Sequence, residues 1–442
     1  MEITTGKFIK VEKDGAFFEG NVIKETDDEI TMKIDGGYIV GFNKENIKVV
    51  EVEKTKEEVK IEEEKKEVKD EKKEENEKKE KVKEEKKGEE EKKEKREWEK
   101  KNVSILAVGG TIACTYDEKT YTASPAVTAD EMLADIPELK NYANINTRQV
   151  DNILSENMKP KHWINLAKII YEEIKSGADG IIVTCGTDTL SYVASAISFM
   201  VKTSVPIVFT GSQKNADRPG SDNHMNLICS VKVATSDIAE SVVVMHGTVS
   251  DDYCEIHRAT KVRKMHSSRR DAFKSINAKP IGEVEYKKDE IRILSDYVKR
   301  GEIELKLKPD FVEKCALIKF FPGSDPKIID FYVDEGYYGL VIEGVGMGHV
   351  SDDWISHLKR ACDKNVLVVI TTQTIYGKTN QVVYETGRKL SEAGVVGVED
   401  MTSETALVKL MWVLGNCGNL RCAKHTMKKN LRGEIEKRHL IV

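Results

Sequence analysis

Hydrophobic and polar residues alternate in four short segments near the start of the chain. The segments are KFIKV, AFFEGNVIK, EITMKI and YIVGF, and Ile30, Met32 and Ile34 each stand between polar neighbours. This period of two predicts half-buried antiparallel strands, with a tight turn at residues 35–37 between the last two. We therefore predict a small β-barrel of the SH3 or Sm type over residues 1–50. Because it contains no visible catalytic residue, we assign it to docking.

From residue 102 onward, continuous apolar runs alternate with longer amphipathic segments. The runs SILAVGG, GIIVTCG, PIVFTGS and SVVVMHG alternate with helices predicted near 160–175, 189–202 and 222–236. After about residue 312 a second series contains CALIKFF, GLVIEGVG, VLVVITT and VVGV, with helices predicted near 351–363 and 403–415. Such alternation predicts parallel sheets covered on both faces. We expect an α/β body of two domains, 101–290 and 312–442, joined by a connector at 291–311.

Residues 51–100 separate the barrel from the body. They contain 41 charged side chains, 19 basic and 22 acidic, and almost no apolar residue. Such a segment cannot form a core, so we interpret it as a linker. It is either disordered or an isolated helix held by Glu–Lys pairs one turn apart, since both residues favour helices.

Removing the linker leaves a body without net charge, because residues 101–442 carry 44 basic and 44 acidic groups. A neutral body is a poor binder of nucleic acid by itself. We expect the basic clusters at 261–264, 269–270 and 428–438 to be solvated. The chain has no secretory signal and no membrane-spanning apolar run, which favours a cytoplasmic protein. Its eight scattered cysteines are expected to be reduced core thiols.

Two Gly-rich turns follow predicted parallel strands and contain threonines. They are Gly109-Gly110-Thr111-Ile112 and Gly186-Thr187-Asp188-Thr189. Ligands bind at the carboxyl ends of such strands, where glycine lets backbone N–H groups approach a ligand. Each turn alone is more typical of an ordinary turn from a strand to a helix, with Thr or Asp as the N-cap.

A third segment, VRKMHSS at 262–268, supplies a lysine. Lys264, oriented by Asp188, would be able to remove the proton of Thr187 and so activate a poor nucleophile. From spacing alone, Lys264 is as readily an exposed member of a basic stretch.

The three motifs together, VGGTIA, TCGTDT and VRKMHSSRRDAFKS, resemble those of the bacterial-type L-asparaginase family over most of residues 102–415. The resemblance implies that Thr111 is the nucleophile that attacks an amide carbon, helped by Tyr121 in the loop YTASP. Thr187, Asp188 and Lys264 would form a second triad.

The resemblance also implies a substrate pocket that includes Gly110. Ser155, in NILSEN, would bind the substrate's α-carboxylate and Asp188 its α-ammonium group. Glu156 stands where asparaginases usually have glutamine, and His349 where they often have asparagine, so a preference for asparagine does not follow.

The barrel, the charged linker and the HSSRRDAF variant resemble subunits of the archaeal tRNA-dependent amidotransferases. That resemblance implies glutamine as the amide donor and a GatE-like partner subunit that binds ATP, Mg²⁺ and Glu-tRNA(Gln). It implies a homodimer through the body and an α2β2 assembly, with tRNA held mainly by the partner. We expect no cofactor and no metal in this chain, since its nine histidines lack metal-ligand spacing. A free-standing L-asparaginase or glutaminase is the alternative, and an inert amino-acid sensor is disfavoured because the candidate residues are all present.

Overall fold

A computed structural model of the chain describes residues 5–34, 39–52, 100–110, 114–117, 122–125, 135–215, 218 and 220–436. These residues belong to two compact units, one within Met1–Glu99 and one within Lys100–Val442, with separate hydrophobic cores. None of the helices in the described part of the chain is both long enough and apolar enough to span a bilayer.

The first unit is an antiparallel sheet, which confirms the interpretation of the alternating pattern. Its strands are β1 (Phe8–Lys13), β2 (Ala16–Glu25), β3 (Glu29–Ile34), β4 (Ile39–Asn43) and β5 (Lys48–Val52), in the order β4-β3-β2-β1-β5. One face carries a core of Ile9, Val11, Val22, Ile30, Met32 and Phe42. Register shifts in two strand pairs bend the sheet, as a small barrel-like domain requires. The predicted turn at 35–37 lies outside the described residues.

The predicted linker at 51–100 lies almost wholly outside the described residues, which end at 52 and resume at 100. Both alternatives for it, the isolated helix and the disordered segment, stay predictions.

The second unit contains eighteen described strands, most of them in two sheets. They are β6 (Asn102–Ala107), β7 (Cys114–Asp117), β8 (Thr122–Pro125), β9 (Asn144–Gln149), β10 (Gly180–Thr184), β11 (Val201–Lys202), β12 (Ile207–Thr210), β13 (Ser241–His246), β14 (Tyr253–Arg258), β15 (Val262–Lys264), β16 (Phe273–Ser275), β17 (Gly282–Glu285), β18 (Ile291–Ile293), β19 (Lys306–Leu307), β20 (Cys315–Lys319), β21 (Gly339–Gly344), β22 (Leu367–Thr372) and β23 (Val396–Gly397).

The large sheet has the order β18-β17-β14-β13-β12-β10-β6-β9. Its strands from β13 to β9 pair in parallel, as predicted. The expectation of a wholly parallel sheet is wrong at the other edge, where β14, β17 and β18 run antiparallel. Antiparallel neighbours need only a short connection rather than a crossover helix, so the helix-strand alternation that revealed the parallel part is absent there. The second sheet, β20-β21-β22-β23, is parallel throughout.

The helices of the second unit cover these sheets. They are α1 (Pro160–Lys175), α2 (Leu190–Met200), α3 (Asn223–Thr235), α4 (Lys327–Asp334), α5 (Asp352–Asp363), α6 (Glu385–Glu392), α7 (Ser403–Asn416) and α8 (Leu420–Met427). The five predicted helices are confirmed as α1, α2, α3, α5 and α7. Sequence reasoning missed α4, α6 and α8 because each has eight residues and buries at most two of them, which leaves little apolar periodicity.

The two α/β domains share one hydrophobic core. Helix α2 packs against α7, where the rings of Phe199 and Trp412 stack with centroids 5.8 Å apart. The same core contains Val183 from the large sheet and Val369 from the second sheet. A common core holds the two domains as one body beneath the candidate site.

Residues 291–311, predicted as a simple connector, contain two short strands. β18 extends the large sheet at its edge, and β19 pairs with β11. Strands of two or three residues have too short an alternation to be recognised in a sequence.

The predicted basic clusters at 261–264 and 269–270 do not form a basic surface. Their side chains pair with acids as Lys261–Asp400, Arg263–Glu404, Arg269–Asp271 and Arg270–Asp251. The expectation of solvation is wrong for Lys261, which is fully buried with its Nζ atom 2.5 Å from Asp400.

The cysteines only partly follow the expectation of core thiols. Cys185, Cys229 and Cys254 are buried, whereas Cys422 is exposed and its Sγ atom lies 2.8 Å from that of Cys417. The sequence missed this because α8, which contains Cys422, was not predicted.

The buried Lys261–Asp400 pair joins the two domains and generates a stability prediction. Replacing Lys261 by Met leaves the Asp400 carboxylate buried without its cation, and we expect this to lower the free energy of unfolding by about 3–5 kcal/mol. Denaturant unfolding followed by tryptophan fluorescence measures the change. The matched control is Lys359→Met, which removes the exposed Lys359–Asp363 pair and should hardly move the midpoint. Equal midpoints for both variants would contradict the prediction.

Candidate active site

The two glycine-rich turns meet at one edge of the large sheet. Strands β6 and β10 pair in parallel, so the turns after Ala107 and Thr184 leave the sheet on the same side. Gly110 has a φ of +90°, and a Cβ atom placed on it would lie 2.3 Å from the backbone nitrogen of Gly186. Only glycine permits this contact between backbones. The structure therefore brings together the two motifs that the sequence placed 76 residues apart.

Thr111 and Tyr121 lie outside the described residues, so their roles stay predictions. The backbone around them is described on both sides. Gly110 packs against the second turn, and strands β7 and β8, which flank residues 118–121, pair as an antiparallel hairpin.

Lys264 joins the third motif to the second. It ends strand β15 in a hairpin with β16. Its Nζ atom donates hydrogen bonds to Thr187 Oγ1 at 2.9 Å and to Asp188 Oδ1 at 2.8 Å. Thr187 is 4% exposed, the Lys264 side chain 12%, and the Asp188 side chain 71%. The Thr187 hydroxyl and the Lys264 ammonium group are thus shielded from solvent, whereas the Asp188 carboxylate is accessible to a ligand.

Ser155 reaches the same turns from a third loop, the short helix Ser155–Asn157. It is buried, and a Cβ atom on Gly186 would lie 2.0 Å from its hydroxyl. The loop is fastened by a hydrogen bond from Thr189 Oγ1 to the Ser155 carbonyl at 3.2 Å. Glu156, next in the chain, is exposed. Ser155 therefore lies beside the turns of Gly110 and Thr187, as a substrate-binding residue must.

Sequence reasoning missed a fourth loop, which follows β12. A Cβ atom on Gly211 would lie 3.0 Å from Thr187 Cγ2, so this loop forms a wall of the site. The Asp222 carboxylate accepts the backbone N–H groups of Gln213 and Lys214 and thereby fixes the loop. Ser212, which follows Gly211, has a buried hydroxyl without a hydrogen-bond partner among the described residues. The signal was present, because PIVFTGS ends at the same edge as the other turns.

A buried polar chain supports that loop from behind. Asn226 donates to the Gly211 carbonyl at 2.9 Å and contacts His246 Nδ1 at 2.6 Å through its Oδ1 atom. His246 Nε2 lies 3.3 Å from Asp251, which is held in turn by Arg270 at 2.7 Å. Burial lowers the pKa of His246, while the neighbouring carboxylates of Asp251 and Asp222 oppose that shift. Arg270 of the RRDAF segment is thus connected to the wall of the site.

Cys185 and His349 are not part of this arrangement. Burial raises the pKa of Cys185 to about 12, which makes its thiol a poor nucleophile at neutral pH. His349 contacts Thr386 and packs edge-on against Tyr384, and no described hydrogen bond joins it to Thr187 or Asp188. Among the described residues, no three His, Cys, Asp or Glu side chains are grouped closely enough to hold a metal.

The arrangement suits acyl transfer. The Thr187 hydroxyl contacts the Lys264 amine, and the Asp188 carboxylate orients that amine. This is the geometry of a nucleophile with its base, or of a group that relays a proton to a base. The turn that begins at Gly186 leads into the N-terminus of α2, and a helix N-terminus stabilises negative charge on an oxygen.

Comparison with known proteins agrees with this geometry. Residues 102–299 match the family model described as Asparaginase, N-terminal, and residues 314–427 match the Glutaminase/Asparaginase C-terminal domain. The thermostable L-asparaginase from Thermococcus kodakarensis is similar with a TM-score of 0.68 at 31% identity, over 76% of this chain and 100% of that chain. L-asparaginase I from Vibrio cholerae has a TM-score of 0.67 at 27% identity, over 76% and 99%. The fold and the site therefore define an asparaginase-type protein.

Curated relatives extend over nearly the whole chain. The D subunit of glutamyl-tRNA(Gln) amidotransferase from Methanosarcina mazei is 50% identical over 435 residues, 98% of this chain and 99% of that protein. The protein of the same name from Archaeoglobus fulgidus is 44% identical over 432 residues, 98% of this chain and 95% of that protein. The chain belongs to the family of glutamyl-tRNA(Gln) amidotransferase D subunits. The family inferred from the motifs and the barrel is thereby confirmed.

The contacts of Lys264 generate a catalytic prediction. Replacing Lys264 by Ala removes the group that contacts both Thr187 and Asp188, and we expect turnover to fall at least about 10²-fold, the scale of a lost acid or base. The measurement is steady-state release of ammonia from an amide substrate.

The matched control is Lys274→Ala, on the partner strand β16 of the same hairpin. Lys274 bonds Gly247 and Glu255, away from Thr187, so turnover should change little. Normal turnover in Lys264→Ala would remove this lysine from the mechanism.

Proposed function

We propose that this chain is the glutaminase subunit of a tRNA-dependent amidotransferase. It hydrolyses the side-chain amide of glutamine and releases ammonia for a partner subunit, which converts Glu-tRNA(Gln) to Gln-tRNA(Gln) with ATP. The observation that carries the proposal is the contact of Lys264 with both Thr187 and Asp188, at a site where the loops of Gly110 and Ser155 converge.

The chemistry follows from these contacts. A threonine hydroxyl attacks the amide carbon, for which Thr111 is the proposed nucleophile and Tyr121 its helper. Thr187, Lys264 and Asp188 form a relay that moves the proton to the departing nitrogen, which leaves as ammonia. Water then hydrolyses the ester, so that glutamine and water give glutamate and ammonia. The N-terminus of α2, which the Gly186 turn leads into, stabilises the oxyanion in both steps.

Substrate orientation would use the ends of the glutamine molecule that do not react. The exposed Asp188 carboxylate is suited to the α-ammonium group, and Ser155, with neighbouring backbone N–H groups, to the α-carboxylate. Glu156 adds an acidic group on the same short helix. Binding both charged groups fixes the side-chain amide relative to the threonines. This orientation of the reacting groups increases the rate of hydrolysis.

The extent of the two similarities favours the amidotransferase over a free-standing amidase. The two asparaginase structures cover 76% of this chain, about the share that the second unit represents. The amidotransferase relatives cover 97–99% of it and therefore include the barrel. A barrel that hydrolysis itself does not need is explained by docking to a partner.

The charge of the body supports a division of labour between subunits. The body carries no net charge, and its basic side chains at 261–270 are paired with acids. A surface of this kind offers little attraction to tRNA phosphates. We therefore assign ATP, Mg²⁺ and most tRNA contacts to the partner subunit and no cofactor to this chain.

An amide-donor experiment tests the proposal. Ammonia release from glutamine and from asparagine is measured for the full chain alone, then with the partner subunit and Glu-tRNA(Gln). We expect glutaminase activity that rises when the partner and tRNA are present, together with formation of Gln-tRNA(Gln). Full activity on asparagine without a partner, and little on glutamine, would instead establish a free-standing asparaginase.

A homodimer is the second part of the proposal. Two loops at the carboxyl ends of β21 and β22 expose Val345, Met347, Ile375, Tyr376, Val382, Val383 and Tyr384. The loops adjoin, because Asn380 N donates to the Met347 carbonyl at 3.0 Å and Gln373 N to the Gly344 carbonyl at 2.8 Å. Apolar side chains concentrated in adjoining loops indicate a protein interface. A second copy of the body is the occupant we infer.

The interface prediction is tested by a single charge. Val382 is 74% exposed, and Val382→Glu places a carboxylate in the apolar surface without disturbing the core. We expect light scattering after size exclusion to show weakened self-association. Ile293→Glu, at an exposed apolar position on the edge strand β18, is the control and should leave the mass unchanged. A Val382→Glu protein that remained as associated as the wild type would place the interface elsewhere.

A further inference from the structure

A cavity of about 270 Å³ lies in the second unit, away from the site of Thr187. Ser241, the first residue of β13, lines it and is in register with Ile207 of β12, which is in register with Ile181 near the start of β10. Thr187 lies beyond the opposite end of β10. A strand rises about 3.3 Å per residue, so the cavity and the candidate active site are at opposite ends of the sheet.

Arg432 lines this cavity with a charge that lacks an acidic partner. Its Nε atom donates to the Ser198 carbonyl at 2.7 Å and its Nη1 atom to the Leu431 carbonyl at 2.9 Å. No carboxylate of the described residues forms an ion pair with it, and the nearby Glu434 is held by Lys409 at 2.6 Å. Burial lowers the pKa of Arg432, which reflects the cost of that charge. A shielded cation of this kind is a binding point for an anion.

Ser241 supplies a second unsatisfied group to the cavity. It is 4% exposed, and its hydroxyl has no hydrogen-bond partner among the described residues. Arg258 is different, because Glu240 occupies its guanidinium with contacts of 2.7 and 3.1 Å. The cavity thus contains one buried hydroxyl without a hydrogen-bond partner, that of Ser241, and one guanidinium without an ion pair among the described residues, that of Arg432.

The charged residues that line the cavity limit which ligand charges it can accommodate. Three described lining residues are basic, Lys202, Arg258 and Arg432, and three are acidic, Glu240, Asp296 and Glu436. A balanced lining disfavours a multiply charged anion such as phosphate and suits a molecule that carries one charge of each sign. The remaining wall is largely aliphatic, with Val201, Ala239, Val298, Ile303 and Leu431.

We propose that this cavity is a second binding site, for a free α-amino acid with an apolar side chain. The carboxylate binds Arg432 and Ser241, and the ammonium group faces the carboxylates of Asp296 and Glu436. The side chain lies against the aliphatic wall. This site is separate from the one that hydrolyses an amide, and its ligand need not carry an amide.

The ligand chemistry is tested by calorimetric titration of the full chain with L-leucine. We expect saturable binding of one molecule per chain. 4-Methylpentanoate, which lacks the ammonium group, and 3-methylbutylamine, which lacks the carboxylate, should each bind at least about 10-fold more weakly, the scale of one lost charged hydrogen bond. Absence of leucine binding, or binding of inorganic phosphate in preference to leucine, would overturn the proposal.

Two variants test whether leucine binds in this cavity. Arg432→Gln should weaken leucine binding at least about 10-fold. Arg300→Gln is the matched control, because Arg300 is half-buried, donates to backbone carbonyls of Asp179, Ser236 and Ala234, and does not line the cavity. Its leucine affinity should equal that of the wild type.

Two further variants keep the test decisive. Lys264→Ala should bind leucine normally, since it alters only the candidate active site. If Arg432→Gln fails to fold, Ser241→Val replaces the hydroxyl by a methyl group and should weaken binding in the same direction. Loss of binding in Lys264→Ala, or unchanged binding in Ser241→Val and Arg432→Gln, would refute the assignment to this cavity.

Discussion

The candidate site depends on one backbone contact, between Gly110 and Gly186. Parallel pairing of β6 with β10 directs both turns to the same edge of the sheet, and the absence of side chains lets them touch. A methyl group at Gly110 would overlap the backbone of the second turn, where no small rearrangement makes room. The close contact brings Gly110, Thr187 and Ser155 together at one edge of the sheet.

Around this contact the protein adds further supports. The hydrophobic core that α2 and α7 share includes Leu190, the first residue of α2, and therefore fixes the helix that follows the turn of Thr187. The loop after β12 is held by Asp222 and by the Asn226–His246–Asp251 chain. The β15–β16 hairpin positions Lys264 beside Thr187. Lys261, three residues earlier in the chain, is fixed by its buried ion pair with Asp400. Preorganisation of this kind suits a site whose chemistry needs positioned polar groups.

The molecule combines this site with further parts. The barrel is shared with the full-length amidotransferase relatives, and the exposed apolar loops of the second sheet are suited to a second body. The cavity at Arg432 lies at the other end of the large sheet, where an amino acid would bind without competing with the amide substrate. The two ends of one sheet thus offer two different kinds of recognition.

The sequence by itself determined the barrel strands, the parallel part of the large sheet, five helices and the three motifs. These features have local causes. Alternation with a period of two, a continuous apolar run and a glycine-rich turn can each be recognised within a few neighbouring residues. It did not reveal α4, α6 and α8, whose apolar faces are too narrow, or the antiparallel edge of the sheet. Only the tertiary structure decided that Lys264 contacts Thr187 rather than solvent, that Lys261 is buried, and that the buried hydroxyls of Ser212 and Ser241 have no hydrogen-bond partner among the described residues. Those facts depend on distant chain segments meeting, for which no local pattern exists.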